Sequence, residues 1–266
     1  MLKFCANINW LFREHDFADR FAAARDIGLK AVEFHHPEGC DPATVIRKAA
    51  EADIKIVLFN AWPGDLMEGG DGLSGVPGRE DQFRTAVEQV VAFGGAIGGG
   101  AVVQIGQSQV PEGVSRQDCL DVYDSNMQLA CAELAKVDCR VMIEPMNTVD
   151  FPNVLISNVD AAFEVIDRVG VDNLGLQFDC YHEAMIGGDV EATIRRIHKR
   201  IEHFQFSDAP GRGEPGTGKL DIQRIFNTLD EVGYDKWVAA EYQPTGSSEA
   251  SLQWLRDYRS LHDSNH

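Results

Sequence analysis

Leu174-Gly-Leu-Gln-Phe-Asp179 is an apolar run that ends on a carboxylate, and runs of this kind decide the fold. Seven similar short runs accompany it along the chain: Leu2–Ile8, Lys30–Phe34, Lys55–Phe59, Ala101–Gly106, Arg140–Glu144, Ile201–Ser207 and Trp237–Glu241. Runs that do not alternate apolar and polar residues are typical of parallel strands covered by helices. The sequence therefore predicts eight buried parallel strands.

The segments between these runs are predicted to be amphipathic helices. Their apolar residues recur every three to four positions, as at Phe17, Phe21 and Ala24. Acidic or hydroxyl side chains suited to capping mark several helix starts, and glycines mark several helix ends. The starts are Asp16, Asp41-Pro42 and Ser115 with Asp118, and the ends are Gly28, Gly170 and Gly233. Strand and helix thus alternate along the whole chain, which predicts an α/β fold.

Two architectures show this alternation, namely a closed (β/α)₈ barrel and an open doubly wound sheet. No Gly-x-Gly-x-x-Gly follows the first predicted strand, which disfavours a dinucleotide-binding sheet. The length of 266 residues is close to the ~250 residues of a single barrel. We therefore predict an α/β fold with one domain, a (β/α)₈ TIM barrel over residues 1–266.

Composition excludes several classes of partner. The formal net charge of −18 opposes binding to nucleic acid and to anionic membranes, because both require basic surfaces. The chain has no apolar run of about 18 residues or more and no signal-peptide pattern at its start, so we expect a cytoplasmic protein. The six cysteines form no metal or disulfide motif and are expected to be reduced thiols. The sequence is compatible with a homo-oligomer.

Four predicted strands finish on polar side chains in matching positions, at Glu144, Asp179, Gln205 and Glu241. The carboxyl ends of barrel strands surround the active site, so these side chains should converge. Three converging carboxylates repel one another unless a cation compensates, and oxygen ligands favour magnesium or manganese over zinc. The sequence therefore predicts one divalent cation held by these four residues. His203 lies on the same face of its strand as Gln205 and could replace it.

Two charged or titratable residues lie just beyond strand ends. Arg212 could bind a substrate carboxylate through its planar guanidinium, or pair with Glu214 at the surface. His182 could donate to a substrate oxygen, take part in proton transfer, or make a structural hydrogen bond. The irregular stretch from Asn60 to Gly78 could cover the site or form a passive mobile loop.

These residues lie in stretches through which the chain resembles the hydroxypyruvate isomerase family. That family belongs to the larger group of xylose-isomerase-like TIM barrels, which also contains ketose 3-epimerases and endonuclease IV. The matching stretches are Phe59-Asn60 with Pro63-Gly64-Asp65, Val76-Pro-Gly-Arg-Glu80, Ile143-Glu-Pro-Met-Asn147, Gln177-Phe-Asp-Cys-Tyr-His182, His203-Phe-Gln205, Gly211-Arg-Gly-Glu-Pro215 and Ala240-Glu-Tyr-Gln-Pro244. Together they cover nearly the whole chain.

The resemblance implies roles for individual residues. Glu144 and Glu241 would transfer protons while also binding the metal with Asp179 and Gln205. Substrate contacts would come from the following positions: Asn60, His182, Arg212 and Glu214. In the epimerases histidine takes the place of Gln205, so the glutamine favours hydroxypyruvate isomerase. Gln107 stands where relatives carry a basic residue, which leaves the exact acid open.

The reaction implied by the resemblance is the interconversion of hydroxypyruvate and tartronate semialdehyde through an enediolate. Its substrate would be a small anionic hydroxy-keto acid. The alternatives are isomerisation of a related 2-oxo sugar acid such as 2-oxo-tetronate, epimerisation of a ketose at C3, and non-catalytic binding of a sugar acid. A DNA repair nuclease of the same fold would need additional histidine ligands and a basic face, which this acidic chain lacks.

Overall fold

The computed structural model describes residues 1–263, and its side chains as far as residue 261. Its strands pair in parallel in chain order, and β1 also pairs with β8, so the sheet closes into an eight-stranded barrel. The strands β1 to β8 are Lys3–Asn7, Ala31–Phe34, Lys55–Asn60, Val102–Gln104, Arg140–Ile143, Leu174–Asp179, Ile201–Phe206 and Trp237–Ala240. Each overlaps one predicted run, so the predicted single-domain (β/α)₈ barrel is confirmed.

Helices connect the strands and surround the barrel. Helices α1 to α10 are Arg20–Asp26, Pro42–Glu51, Glu80–Ala96, Arg116–Ala135, Val159–Val169, Cys180–Met185, Val190–Ile197, Ile222–Glu231, Ser248–Ser251 and Gln253–Asp263. Short 3₁₀ turns are found at Phe17–Asp19, Leu66–Glu68 and His198–Arg200. Within residues 1–263, no helix has both the length and the apolar character needed to cross a membrane.

The predicted helix boundaries hold in most cases. Asp41 and Ser115 accept hydrogen bonds from backbone N–H groups in the first turns of α2 and α4. Gly170 ends α5 in the left-handed conformation (φ 67°) and donates to the carbonyl of Ile166. Asp16 differs, because it precedes a 3₁₀ turn and its side chain caps nothing. After that turn Arg20 donates to the carbonyls of Ile8 and His15, which ties the turn to the end of β1.

The two faces of the strands meet different environments. Phe204 and Phe206 of β7 point outward into the main apolar core beneath the helices, as the alternation predicts. Inside the barrel a small apolar cluster includes Cys5, Ala31 and Ala239. Two residues further along each of these strands, the buried side chain is polar: Asn7 on β1, Glu33 on β2 and Glu241 after β8. Barrel interiors usually hold branched apolar residues, so this one has a polar interior extending below its rim.

The irregular stretch that follows β3 is held by its own hydrogen bonds. The Asp65 carboxylate accepts from the backbone N–H of Gly72 (2.9 Å) and from Arg79 (2.7 Å). The Ser74 hydroxyl donates to the carbonyl of Gly106 at 2.7 Å, which joins the stretch to the loop after β4. The structure thus gives this segment a defined conformation beside the barrel mouth, and its role as a cover stays a prediction.

Candidate active site

The barrel brings three of the predicted carboxylates around one point at its carboxyl end. Glu144 directly follows β5, Asp179 ends β6 and Glu241 directly follows β8, and all three are buried. Arg212 donates to Asp179 Oδ2 (2.8 Å) and to Glu241 Oε2 (2.6 Å). His182 Nε2 lies 3.8 Å from both Glu144 Oε1 and Asp179 Oδ2. The fold therefore brings these three carboxylates, which lie far apart in the sequence, close together in space, as predicted.

Arg212 is the cation that compensates this cluster in the structure. Its side chain is largely buried, with 18% exposed, and its guanidinium carbon lies 5.2 Å from the ring centre of Trp10 and 4.8 Å from that of Tyr181. Two aromatic faces suit a flat guanidinium and hold its plane in position. Its Nε is buried without a hydrogen-bond partner among the described residues. Arg212 thus keeps one N–H donor that is not engaged by the described residues.

The surroundings shift the pKa values of the three carboxyl groups in different directions. Burial raises the pKa of Glu144 well above its usual range, and repulsion from Glu241 and Asp179 adds to the rise. Burial also raises the pKa of Asp179, to about 7, although Arg212 opposes the rise. Burial would raise the pKa of Glu241 as well, but Arg212 and the hydrogen bond from His35 outweigh it and bring the value to about 2. The surroundings therefore favour the ionised form of Glu241 and the protonated form of Glu144.

The imidazole of His182 is fixed in one tautomer by Asn147. The side-chain oxygen of Asn147 accepts from the N–H groups of Val149 and Asp150, so the direction of the amide is known. The Asn147 backbone N–H and side-chain Nδ2 both approach His182 Nδ1, at 3.2 and 2.8 Å. Nδ1 must therefore accept, and the ring proton of the neutral imidazole sits on Nε2, which faces Glu144 and Asp179. An N–H at that position can donate a hydrogen bond and cannot bind a metal.

His182 should remain neutral across the physiological pH range. Burial and the nearby charge of Arg212 lower its pKa to about 3. Nitrogen-15 NMR of the histidine rings should show Nε2 protonated and Nδ1 unprotonated from pH 8 down to pH 5. A blocked histidine in the same buffers serves as the control, because an unperturbed imidazole titrates at about pH 6.5. A His182 resonance that titrates together with this reference would contradict the assigned tautomer.

The donor atoms around this point suit a hard divalent cation. One oxygen each of Glu144, Gln104 and Asn60 is buried without a hydrogen-bond partner among the described residues. Glu144 and Asp179 offer carboxylate oxygens within 4.8 Å of each other. Such oxygen donors match the preference of magnesium and manganese. The residues present therefore fit the predicted cation.

Gln205 lies in the barrel interior, one strand from Asp179. Its Oε1 accepts from Gln177 Nε2 at 2.6 Å, and its own Nε2 donates to Glu33 at 2.7 Å. An amide oxygen has two lone pairs, so Oε1 retains one after accepting from Gln177. His203, the alternative ligand, directs Nε2 to the carboxylate of Glu33 instead, 2.5 Å away. The structure leaves the ligand role of Gln205 a prediction and gives His203 another partner.

Asn60 and Glu214, two further residues predicted to contact substrate, have different surroundings. Asn60 ends β3 with its side-chain oxygen buried and free of partners among the described residues. Glu214 uses both carboxylate oxygens to hold Thr245, accepting from its backbone N–H (2.9 Å) and its hydroxyl (2.5 Å). Asn60 therefore has an atom available for a ligand, whereas Glu214 joins two loops of the rim.

Gln107 also has a structural partner. Its side chain is fully buried, and Nε2 donates to the main-chain carbonyl of Glu144 at 2.7 Å. This bond holds the backbone of a residue that lies at the centre of the candidate site. A glutamine at this position therefore supports the end of β5 from within the protein.

Several side chains of the site were not predicted from the sequence. Glu241 Oε1 accepts from Asn7 at 2.9 Å and lies 2.6 Å from His35 Nε2. Gln104 Nε2 donates to Glu144 Oε2 at 3.1 Å. Others are Trp10, Glu33, Asn147, Gln177 and Tyr181. The available signal was a polar residue inside an apolar strand, as in Lys30-Ala-Val-Glu-Phe34, because such a residue must find a partner in the barrel.

Comparison with known proteins places the chain in a family. The model of the xylose isomerase-like TIM barrel family matches residues 21–258. The chain is 36% identical to a 2-oxo-tetronate isomerase of Cupriavidus necator over 97% of this chain and 99% of that protein. It is 34% identical to a hydroxypyruvate isomerase of Escherichia coli over 97% of this chain and 100% of that protein. A crystal structure of an AP endonuclease, family 2, from Brucella melitensis has a TM-score of 0.90 and 32% identity, covering 97% of this chain and 99% of that one. The chain belongs to the xylose isomerase-like TIM barrel family.

Proposed function

We propose that this isomerase interconverts hydroxypyruvate and tartronate semialdehyde, with Glu144 and Glu241 as the proton-transferring pair. The observation that carries the proposal is the placement of these two buried carboxyl groups around a single point, where burial favours the protonated form of Glu144 and Arg212 favours the ionised form of Glu241 by lowering its pKa. An ionised and a protonated carboxyl can remove a proton from one carbon and return one to its neighbour. The relatives named as isomerases of hydroxypyruvate and of 2-oxo-tetronate support the same class of reaction.

Glu241 is the base in the direction from hydroxypyruvate. A carboxylate with a pKa of about 2 is a weak base while Arg212 and His35 hold it. A substrate carboxylate that pairs with Arg212 shares the guanidinium charge, so the pKa of Glu241 rises and its basicity increases. Substrate binding and activation of the base are thereby linked through one side chain.

Glu144 supplies the returning proton, and His182 donates its Nε2–H to a substrate oxygen. Gln104, which donates to Glu144 Oε2 at 3.1 Å, holds that carboxyl group in place. Glu144, Asp179, Gln205 and Glu241 would hold manganese or magnesium, which would stabilise the negative charge that develops as the carbon loses its proton.

A second candidate substrate is the longer acid 2-oxo-tetronate. The relative from Cupriavidus necator carries that activity in its name. Gln107 provides an amide bound to the backbone of Glu144, so no cation at this position is available for the substrate carboxylate. The two acids share the same hydroxy-keto group and would use the same pair of glutamates. The net charge of −18 gives no support to action on nucleic acid.

The proposal is tested by initial rates with a panel of substrates in the presence of manganese. The panel contains hydroxypyruvate, 2-oxo-tetronate and a simple ketose, and product formation is followed by proton NMR. We expect kcat/KM for hydroxypyruvate to exceed that for the other two by about tenfold or more. A preference for 2-oxo-tetronate would mean that this acid, and not hydroxypyruvate, is the substrate. Binding of all three without turnover would show a sugar-acid-binding protein.

Replacing Arg212 with alanine should raise KM. Hydrogen bonds to charged groups are worth about 1.5–3 kcal/mol, so we expect an increase of roughly 10- to 150-fold. Arg212→Lys keeps the charge but loses the planar pair of donors, and an intermediate KM is expected. Steady-state kinetics with hydroxypyruvate measure both variants. The control is Arg195→Ala, which removes an exposed ion pair with Glu231 and should leave KM unchanged. An unaltered KM in Arg212→Ala would rule out the carboxylate contact.

A further inference from the structure

Glu33 is a fully buried carboxylate in the barrel interior that the reaction itself does not use. Oε1 accepts from Asn7 Nδ2 (3.2 Å) and from Gln205 Nε2 (2.7 Å). His203 Nε2 lies 2.5 Å from Oε2. Three side chains from β1 and β7 thus converge on this carboxylate and engage both of its oxygens.

The first consequence concerns the amide of Gln205. A carboxylate oxygen accepts hydrogen bonds, so the NH₂ group of Gln205 must face Glu33. Oε1 then lies on the opposite side of the amide, where Gln177 donates to it. Rotating the amide by half a turn would set two oxygens against each other at Glu33 and two NH₂ groups against each other at Gln177. Glu33 therefore determines which atom of Gln205 is available as a ligand.

The second consequence concerns Glu241, which Glu33 reaches through Asn7. The Asn7 side-chain oxygen accepts from the backbone N–H of Asn9 at 3.0 Å, which fixes the direction of this amide. Its Nδ2 donates both to Glu33 and, at 2.9 Å, to Glu241 Oε1. A single NH₂ group thus connects the buried carboxylate to the proposed base.

Cys5, Glu33 and His203 also place a sulfur, an oxygen and a nitrogen within 4.8 Å of one another, as a metal site would. Both oxygens of Glu33 are already engaged by donors, however. Burial raises the pKa of the Cys5 thiol well above its usual range, so a thiolate ligand is disfavoured. The contacts favour a hydrogen-bond network over a second metal site.

We propose that Glu33 is the positioning residue that orients Gln205 toward the cation and, through Asn7, holds Glu241 for proton transfer. The inference rests on the proposed function, because it assigns a purpose to the orientation of two residues of that site. Hydrogen-bond partners of this kind typically change metal affinity about 10- to 100-fold when they are removed.

The test is direct titration of the metal-free protein with manganese, with free Mn²⁺ counted by electron paramagnetic resonance. Glu33→Met has a similar length and removes both acceptor oxygens, so no acceptor at this position fixes the direction of the Gln205 amide. We expect its Kd for Mn²⁺ to rise about 10- to 100-fold and its kcat to fall, with the circular dichroism spectrum unchanged. Cys5→Ser changes a side chain of the same buried region that has no role in orienting Gln205, and should bind Mn²⁺ as the wild type does.

A conservative variant keeps the test decisive if Glu33→Met does not fold. Glu33→Gln keeps one oxygen that can accept from Gln205 while its NH₂ group faces His203, so the direction of the Gln205 amide is preserved. We expect this variant to fold and to bind Mn²⁺ within about tenfold of the wild type. A much weaker affinity in Glu33→Gln would show that the charge of Glu33, and not its hydrogen bond to Gln205, supports the metal, and would overturn the inference.

The outcomes separate this inference from the proposed function. A wild-type protein that isomerises hydroxypyruvate and binds Mn²⁺, with Glu33→Met binding equally tightly, would overturn the inference alone. A wild-type protein that neither binds Mn²⁺ nor isomerises any acid of the panel would overturn both. Weaker binding in Glu33→Met together with near-wild-type binding in Glu33→Gln would establish the positioning role.

Discussion

Glu144→Gln is expected to lower kcat by about 10²- to 10⁴-fold, because it removes the proposed proton donor of the carboxyl pair. Glutamine keeps the shape of the side chain and can still accept the hydrogen bond from Gln104. Steady-state kinetics with hydroxypyruvate, measured with saturating manganese, give the change directly. Glu231→Gln, at an exposed ion pair, is the matched control and should retain the wild-type rate.

The same substitution should also stabilise the metal-free protein at neutral pH. The pKa of Glu144 is raised in the folded state, so the folded protein holds a proton that the unfolded chain releases above about pH 4.3. The contribution of Glu144 to stability is therefore present at low pH and is lost as pH rises toward the raised pKa. Glu144→Gln avoids this loss, so its Tm should exceed that of the wild type more at pH 7 than at pH 4. Near-normal turnover, or a lower Tm at pH 7, would contradict the role given to this residue.

Removal of the metal is expected to reduce activity to a few per cent or less. Three buried carboxyl groups meet at the site, Gln205 is the predicted fourth ligand, and the proposed reaction would develop negative charge there. The protein should stay folded without metal, because Arg212 already compensates Asp179 and Glu241. Activity should return on addition of manganese or magnesium.

The measurement combines chelation, elemental analysis to verify that metal is absent, and assays before and after restoring each ion. Circular dichroism of the chelated protein separates loss of the cation from loss of the fold. Full activity in a preparation verified as metal-free would refute the role of the cation, whatever the outcome for Glu144→Gln.

The fold could be predicted because its signals are local. Apolar runs such as Arg140–Glu144 and helix ends such as Gly170 depend on neighbouring residues, and the structure confirms them. The convergence of Glu144, Asp179 and Glu241 followed from their equivalent positions at strand ends, since a closed parallel barrel brings such positions together. Hence the broad outline of the site was also accessible from the sequence.

The hydrogen-bond and ion-pair partners of these residues could not be predicted from the sequence. Arg212 reaches Asp179 and Glu241 from the loop after β7, where its own backbone is left-handed (φ 55°). The tautomer of His182 depends on Asn147, which belongs to the segment after β5. Long-range contacts of this kind are set by tertiary packing, and no spacing in the sequence encodes them.

The polar residues in the interior of the barrel could not be identified from the sequence pattern. Glu33 and Asn7 lie inside apolar runs, where a single polar residue contributes little to a periodic pattern. Their inward direction becomes clear only when β1 and β2 are paired in register, with Asn7 beside Glu33. Gln107 was interpreted through its position in the family, whereas the structure gives it a bond to the backbone of Glu144.

The most direct test of the central claim is the position of deuterium after turnover in deuterium oxide. Manganese-loaded enzyme converts hydroxypyruvate in this solvent, and NMR or mass spectrometry follows the tartronate semialdehyde formed at early times. If Glu241 removes a proton from one carbon and Glu144 delivers another to its neighbour, the new C–H bond carries solvent deuterium in nearly every turnover. Product that forms at the normal rate with the original hydrogen retained would contradict the paired-glutamate mechanism.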